Sequence, residues 1–293
     1  MLKADSARNR LLGIGLVSIT FACFAVLDTT AKWLVRSLPV IELVWLRFVG
    51  HVLFTALLLA PRYGTRLLRV HNVKLQLLRG MMLFSMTGLN FWALQYLQLA
   101  ETGAVQFAVP ILIALFGVWL LGERPDAPRW IAIAIGFAGV LLIVRPGTGG
   151  FHPAIFLAIG NAVVYALFNL LTRRLAATDR PEATQFVSAL SAAVLLTPAG
   201  LAAWQTPASV VDWLLIAVLG VSGGLGHWLL AVAHRFAPAS VLAPFLYQQI
   251  LWMTLLGWLV FGDVPGLPVI AGTAVVIASG LYLVARERRG AVG

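Results

Sequence analysis

The chain has 293 residues, of which 60% are hydrophobic and 11% charged, and its mean hydropathy is +0.92. A soluble domain is about 45–50% apolar and about 25% charged, so this composition excludes an ordinary soluble protein and indicates one embedded in a membrane. The formal net charge of +10 does not indicate nucleic-acid binding, because the charged residues separate apolar segments and form no basic stripe with interleaved aromatic residues.

The residue types that bind metals or cofactors are sparse. The single cysteine, Cys23, excludes an internal disulfide and a cysteine-based metal site. No group of histidine, cysteine and acidic residues has metal-ligand spacing, and no phosphate-binding glycine loop occurs. The sequence therefore predicts no metal and no cofactor, and it gives no support for ATP-driven transport.

Ten apolar segments of roughly 20 residues are predicted to span the bilayer as helices. They cover residues 11–35, 40–60, 75–97, 102–121, 128–145, 153–173, 183–203, 211–233, 239–260 and 266–285. Only short loops join them. The predicted fold class is therefore all-α: an integral membrane protein of ten transmembrane helices.

A short loop occurs twice, 140 residues apart, between the fourth and fifth predicted spans of each half. The segment Gly122-Glu123-Arg124-Pro125-Asp126-Ala127-Pro128 recurs as Gly262-Asp263-Val264-Pro265-Gly266-Leu267-Pro268, with the glycine, the acid and both prolines in register. Five spans are an odd number, so the second half must enter the membrane in the opposite sense. This predicts two inverted five-helix repeats, over residues 11–145 and 153–285, as in secondary transporters.

The basic residues predict the orientation. With the N-terminus inside, all but four of the 21 lysines and arginines fall on the inner side; the exceptions are Lys32, Arg36, Arg47 and Arg145. The positive-inside rule therefore predicts that both termini are cytoplasmic. The expected location is the bacterial inner (cell) membrane, as a multi-pass protein.

Short motifs distributed over nearly the whole chain carry a family resemblance. They are Asp28-Thr-Thr-Ala-Lys32, Trp45-Leu-Arg47, Leu78-Arg79-Gly80, Leu121-Gly122-Glu123, Val144-Arg145-Pro146-Gly147, Ala243-Pro244-Phe245-Leu246-Tyr247 and Phe261-Gly262-Asp263. With these motifs the chain resembles the EamA-type drug/metabolite transporter superfamily, although Asp263 replaces the usual glutamate. Within it, the chain is similar to the branch that contains YddG-type aromatic amino-acid exporters, riboflavin carriers and S-adenosylmethionine carriers.

Polar residues at equivalent places in the two halves indicate a site around the pseudo-two-fold axis. A shift of 141 places Asp28 on Asn169, and a shift of 137 places Asn90 on His227. Polar groups are costly in lipid, so they are expected to face a water-filled cavity between the halves. With the polar and aromatic residues at helical spacing, the predicted cavity residues are Asn90, Trp92, Gln106, Asn161, Tyr165, Asn169, His227, Tyr247 and Gln248. The alternative is packing, since such side chains also join helices or face lipid.

Two charged residues lie at similar depth in adjacent predicted spans. Asp28 is about 8 Å, and Arg47 about 12 Å, from the outer end of its helix. This predicts a buried ion pair, either a structural brace or a proton-coupling or gating element. Lys32, Arg36 and Glu42, nearer the surface, are expected to extend to the lipid headgroups.

The predicted function is export of small amphipathic metabolites, most of all amino acids including aromatic ones, by alternating access. Partners are a small-molecule substrate, the bilayer and protons as a candidate coupling ion, with no nucleic acid. The alternative keeps the fold but carries a cofactor-like metabolite, riboflavin or S-adenosylmethionine. A passive channel is disfavoured because no charged ring or filter-like loop is present.

A different class, an intramembrane serine protease, is suggested only by the segment Gly220-Val221-Ser222-Gly223-Gly224. Its Gly-x-Ser-x-Gly pattern needs a base on a neighbouring helix and an oxyanion hole. His227 lies on the same helix, about 140° around from Ser222 at about 100° per residue. Small residues in membrane helices produce such matches readily, so no enzyme activity is predicted.

Overall fold

The structure, a computed structural model, describes residues 6–121, 127–145, 152–237 and 239–290, and these ranges hold helices and no strand. The helices are α1 (Ala7–Leu34), α2 (Val40–Tyr63), α3 (Val73–Leu94), α4 (Leu99–Gln106), α5 (Val109–Leu121), α6 (Ala127–Val144), α7 (Ile155–Leu175), α8 (Pro181–Ala202), α9 (Val210–Phe236), α10 (Ala239–Leu242), α11 (Gln249–Leu256) and α12 (Leu267–Gly290). Turns of 3-10 helix cover Gly64–Leu68 and Ala243–Gln248, and a π-helical turn covers Gly257–Phe261. Residues 122–126 of the first loop copy, and Pro146 and Gly147, lie outside the described residues.

Several helices begin where a side chain satisfies the free backbone N–H groups of the first turn. The Asn72 side chain accepts from the Leu75 amide at 3.1 Å at the start of α3. Ser209 and Asp212 form a reciprocal capping box at the start of α9. These are the short polar residues that favour helix N-termini, and they fix where the apolar segments begin.

Six helical segments of the described chain are long and apolar enough to cross a membrane. They are Ala7–Leu34, Val40–Leu68, Leu99–Phe116, Ile155–Leu175, Pro181–Ala202 and Val210–Phe236. Shorter apolar helices cover Trp130–Val144, Gln249–Phe261 and Leu267–Leu283. The predicted all-helical membrane fold is thus confirmed in its coarse form, while the count of ten spans stays a prediction.

Two predicted spans are broken near a proline. The predicted span 102–121 consists of α4 and α5, which separate around Phe107 and Ala108, just before Pro110. The predicted span 239–260 consists of α10, a 3-10 segment that contains Pro244, α11 and the π-helical turn. Proline lacks a backbone N–H, which weakens the helical ladder at these points. The two broken segments are the fourth predicted span of each half.

Packing between the halves repeats with the halves exchanged. In the two predicted repeats α1 is equivalent to α7, α2 to α8 and α3 to α9. Helix α1 packs on α9, and its equivalent α7 packs on α3. In the same way α2 packs on α9, and its equivalent α8 packs on α3. Likewise α7 packs on α5 as α1 packs on α11. The remaining large interfaces, α2 with α8 and α6 with α12, each join equivalent helices. This exchange is what a pseudo-two-fold axis between two repeats produces.

Helices α6 and α12 form a close pair at one side of the molecule. A Cβ atom added at Gly139 would lie 3.0 Å from the Gly272 carbonyl oxygen, and one at Gly272 would lie 2.6 Å from the Gly139 oxygen. The Ser279 hydroxyl also donates to the Ala132 carbonyl at 2.6 Å. Only glycine permits this backbone approach, a common device between membrane helices.

Candidate functional site

A central cavity lies between α1, α2, α3, α7 and α9, with the broken segment α4–α5 at its edge. Its polar lining includes Asp28, Arg47, Thr87, Asn90, Gln106, Asn161, His227 and Gln249. Its aromatic lining is Phe21, Phe24, Phe91 and Tyr165. The cavity, of about 110 Å³, therefore combines charged and amide groups with aromatic rings.

An apolar chamber of about 240 Å³ adjoins the central cavity and shares Phe21, Gln106, Tyr165 and Gln249 with it. Much of its remaining lining is aliphatic. It reaches His234, an exposed residue near the end of α9. Neither lining includes a residue of α6 or α12 among those described, so this helix pair lies outside both spaces.

The acidic side of the central cavity is a chain of three hydrogen-bonded side chains. Asn90 Nδ2 donates to Asp28 Oδ1 at 2.9 Å, and Gln106 Nε2 donates to Asn90 Oδ1 at 3.2 Å. Asp28 is 5% and Asn90 6% exposed. A buried amide that donates to a carboxylate makes a charge-assisted bond, which orients the carboxylate, and Asp28 Oδ2 accepts no hydrogen bond from the described residues.

Arg47 supplies the positive charge of the cavity and is 3% exposed. Its guanidinium carbon lies 4.1 Å from the centre of the Phe48 ring, and its Nε and Nη1 atoms have no hydrogen-bond partner in the described structure. Gly223 of α9 makes room for it, since a Cβ atom there would lie 3.2 Å from Nη2. The predicted direct ion pair between Asp28 and Arg47 is wrong for this structure. The carboxylate is instead held by Asn90, and no Asp28–Arg47 contact within 4.0 Å occurs.

Two histidines, the buried His51 and the half-buried His227, stack at the cavity wall. The rings of His51 and His227 lie 5.7 Å apart at 19°, and Phe24 meets His227 edge-on at 5.0 Å. His51 is fully buried, and neither ring nitrogen has a hydrogen-bond partner among the described residues. Gly224 and Gly226 bring α9 close enough for these contacts, because their added Cβ atoms would meet Phe54 and Phe24.

The structure brings together most of the residues that the sequence singled out. Those that line the central cavity or the apolar chamber are Asp28, Arg47, Asn90, Gln106, Asn161, Tyr165, Asn169 and His227. Asn161 is 4% exposed, and Asn169 Nδ2 also donates to the Tyr165 carbonyl at 2.7 Å. Their place around one space is a structural fact, whereas substrate binding by them stays a prediction.

Trp92 does not lie where the sequence prediction put it. Its side chain is 44% exposed, and its neighbour Phe91, 1% exposed, takes the place in the cavity wall. Thr87, Asn90 and Phe91 share one face of α3, and each further residue turns about 100° away from it. Trp92 therefore points outward near the end of its helix, a position typical of tryptophan at a membrane interface.

The structure also contradicts the prediction that Tyr247 and Gln248 line the cavity. Tyr247 is 6% exposed in the core, where its ring meets Phe107 at 5.2 Å, and Gln248 Nε2 donates to Ser18 Oγ at 2.9 Å. Neither lines the cavity; Gln249 does. The prediction assumed α-helical spacing, but a 3-10 helix turns about 120° per residue, so six residues of it shift the face by about one residue.

Four further lining or wall residues were missed by the sequence reasoning: Phe21, Thr87, His51 and Gln249. A signal existed for Phe21, because Val17, Phe21, Phe24 and Asp28 follow one face of α1 at three- and four-residue spacing. His51 gave none, since a lone histidine in an apolar helix has no repeat partner in the other half.

An ion pair joins the two halves at one end of the bundle. Lys32 Nζ donates to Asp263 Oδ2 at 2.6 Å and to the Leu97 carbonyl at 3.0 Å. Phe261 covers this contact, with the Lys32 nitrogen 5.0 Å and the Arg36 guanidinium 4.8 Å from its ring centre. Lys32 is therefore held within the protein rather than extended to the headgroups, and Glu42, fully buried, accepts from the Gln205 amide at 3.0 Å.

The glycine-rich segment around Ser222 has a packing explanation. The backbones of Gly220 and Gly50 touch, since a Cβ atom at Gly220 would lie 2.7 Å from the Gly50 Cα. Ser222 is 8% exposed, and no hydrogen bond in the described chain joins it to a histidine. The geometry that a serine nucleophile requires is thus not formed here.

Known transporters resemble the chain, two of them over nearly its whole length. An S-adenosylmethionine uptake transporter of Rickettsia conorii is 25% identical over 290 residues, 97% of this chain and 96% of the relative. A riboflavin transporter of Vibrio cholerae is 32% identical over 204 residues, 68% of this chain and 67% of the relative. A pseudopaline exporter of Pseudomonas aeruginosa is 27% identical over 281 residues, 95% of this chain and 97% of the relative.

One solved crystal structure matches 97% of this chain and 99% of its own chain. The TM-score of 0.66, at 20% identity, shows that the two share a fold. The sequence model of the EamA-like transporter family matches twice, at residues 11–145 and 152–286. Repeated matches of this extent cover nearly the whole sequence, so the protein belongs to the EamA-like transporter family.

Proposed function

We propose that the protein is a secondary transporter that carries small amphipathic metabolites across the membrane by alternating access. The observation that carries this proposal is a cavity with polar and aromatic walls, which the apolar chamber continues towards His234. At the opposite end of the bundle the Lys32–Asp263 pair joins the two halves. Broken helices whose irregular backbone lines a cavity are tolerated in membranes and are frequent in transporters. The breaks in α4–α5 and α10–α11 both lie at this space.

The proposed topology has ten spans in two inverted repeats, over residues 11–145 and 153–285, with cytoplasmic termini. In that orientation Lys32 and Asp263 close the outer side. The exchange-related packing of the halves supports the repeats, and the excess of basic residues at the inner loops supports the orientation. The bacterial inner membrane is the proposed location, which the bacterial origin of the relatives supports.

The proposed substrates are amino acids, including aromatic ones, moved outwards. Asp28, Asn90 and Arg47 would meet the polar end of such a molecule, and Phe24, Phe91 and Tyr165 its apolar end. The second candidate is a cofactor-like metabolite. It is favoured by the relatives whose names are S-adenosylmethionine uptake transporter and riboflavin transporter.

The test is a substrate panel in proteoliposomes, with and without an imposed pH gradient. The panel holds aromatic and aliphatic amino acids, S-adenosylmethionine and riboflavin, each in counterflow against its unlabelled form. We expect counterflow of at least one, and loss of it when Asn161, Tyr165 and His227 are replaced together by alanine. The proposal is wrong if no member moves, or if the triple variant transports as well as the parent.

A further inference from the structure

We propose that the central cavity recognises the α-amino-acid group of its ligand, with Arg47 binding the carboxylate and Asp28 the ammonium group. This assignment rests on the proposed carrier function of the same cavity and names the chemical class of its cargo. Amino acids and S-adenosylmethionine both belong to that class, whereas riboflavin, which has neither group, does not.

The first observation is that one negative and one positive side chain enter the same cavity without pairing directly. Asp28 and Arg47 are each at least 95% buried, and the carboxylate accepts from Asn90 rather than from the guanidinium. A buried charge without a partner is unfavourable, because the lost hydration is not replaced. The α-amino-acid group of a ligand brings one charge of each sign, satisfies both side chains, and itself adds no net charge to the cavity.

The second observation is the unused hydrogen-bonding capacity of the two groups. Arg47 Nε and Nη1 have no hydrogen-bond partner among the described residues, so the guanidinium keeps unused N–H donors that a ligand carboxylate can accept from. On the opposite side only Oδ1 of Asp28 is taken, by Asn90, so Oδ2 can accept from an ammonium group.

The third observation is that neighbouring residues hold both charged side chains in place. Arg47 fits against α9 because residue 223 is glycine, and Asn90 is itself fixed by Gln106. Both charged groups are therefore positioned before a ligand arrives, which lowers the conformational cost of binding. The rings of Phe24, Phe91 and Tyr165 complete the wall for the rest of the ligand.

The experiment measures binding to the purified full-length protein in nanodiscs. The probes are L-tryptophan, tryptamine, which lacks the carboxylate, and indole-3-propionate, which lacks the amine. S-adenosylmethionine, its decarboxylated form and riboflavin form the second set. We expect one or both zwitterions to bind at least tenfold more tightly than their own analogues and than riboflavin, since each lost charge-assisted bond costs roughly 10-fold to 150-fold in affinity.

Single substitutions then assign each charge. Arg47→Gln should remove the preference over the analogue without a carboxylate, and Asp28→Asn the preference over the analogue without an amine. Arg47→Lys and Asp28→Glu retain the charge and should retain part of the preference, which separates recognition from folding. The control is Arg79→Gln, a buried arginine outside the cavity that donates to Thr172 at 2.8 Å and Ser188 at 2.7 Å. Its loss should lower stability and leave the ligand preference unchanged.

The assignment is overturned if neither zwitterion binds more tightly than its analogues and riboflavin. It is equally overturned if folded Arg47→Gln and Asp28→Asn proteins keep the full preference, which would make the two residues a structural brace. Counterflow of riboflavin or another metabolite without both groups would, in those cases, leave the carrier proposal standing. Absence of counterflow for every member of the panel contradicts the carrier proposal itself.

Discussion

Asn90 organises the polar wall of the central cavity, because it donates to Asp28 and accepts from Gln106 while being buried itself. The sequence predicted its importance from a single relation, the coincidence of Asn90 with His227 after a shift of 137. It could not predict the partners. Which residue of a neighbouring helix a side chain meets depends on how both helices are rotated about their axes, and the hydropathy pattern does not fix that rotation.

Replacing Asn90 with leucine should destabilise the protein by about 1–3 kcal/mol, because the buried Asp28 carboxylate loses its only described hydrogen bond. Thermal and denaturant unfolding in detergent measure this change. Trp92→Leu is the control on the same helix: Trp92 is 44% exposed and should stay within about 0.5 kcal/mol of the parent. Equal stability of the Asn90→Leu and parent proteins would show that the hydrogen bond is not formed.

Ser222→Ala should leave transport near the parent level, because Ser222 is buried in a packed glycine-rich segment without a histidine partner. Counterflow with the best substrate of the panel measures transport by the variant. Treatment of the purified parent protein with a fluorophosphonate tests whether Ser222 is a reactive nucleophile, and we expect no label on it. A labelled Ser222 would establish a reactive nucleophile and restore the protease hypothesis.

Among the elements, the long apolar helices could be predicted from the sequence and the interrupted ones could not. Continuous apolar composition is the same over α4 and α5 as over an unbroken span, so only the Phe107–Ala108 break in the structure separates them. Apolar composition does not reveal the 3-10 segment at Ala243–Gln248 either. Its effect on the site prediction is larger, because Gln249 lines the cavity where regular α-helical spacing had predicted Gln248. Both breaks lie at the cavity, where local backbone geometry departs from the regular repeat.

Gly139→Val should separate α6 from α12, since even a Cβ atom would lie 3.0 Å from the Gly272 carbonyl oxygen. Overpacking of this kind costs about 1–3 kcal/mol, which a thermal-unfolding measurement detects. The control is Gly88→Val on α3, where no atom lies within 4 Å of an added Cβ. A Gly139→Val protein as stable as the Gly88→Val protein would contradict the close approach of these helices.

For the whole molecule, the packing of the two halves is nearly symmetric, but the ion pair that joins them at one end is not matched among the described residues. The two repeats make equivalent interfaces, yet Lys32 is bound to Asp263 while Arg173, its counterpart after a shift of 141, is exposed. A nearly symmetric scaffold, with Lys32 bound and Arg173 unbound among the described residues, fits one state of the proposed alternating-access cycle. Sequence symmetry predicted the pair of positions, but it cannot say which end is closed, because both states share the sequence.

Asp263→Asn should therefore shift the protein towards opening at the Lys32 end. Loss of an inter-half coupling of about 1–3 kcal/mol changes such an equilibrium roughly 5-fold to 150-fold. The measurement uses Leu27→Cys, a cavity-lining position that is 6% exposed, in a Cys23→Ser background. Labelling by a membrane-impermeant thiol reagent, added from the outer side of intact cells, should become correspondingly faster.

Two controls separate this closure from general loosening. Asp212→Asn removes a half-buried acid that caps α9 near the same proposed side and should leave the labelling rate unchanged. The double exchange Lys32→Asp with Asp263→Lys restores opposite charges and should slow labelling again. If Asp263→Asn labels no faster than the parent, the Lys32–Asp263 pair does not control access. If faster labelling occurs only from the cytoplasmic side, the proposed orientation is reversed, and Lys32 and Asp263 close the inner end instead.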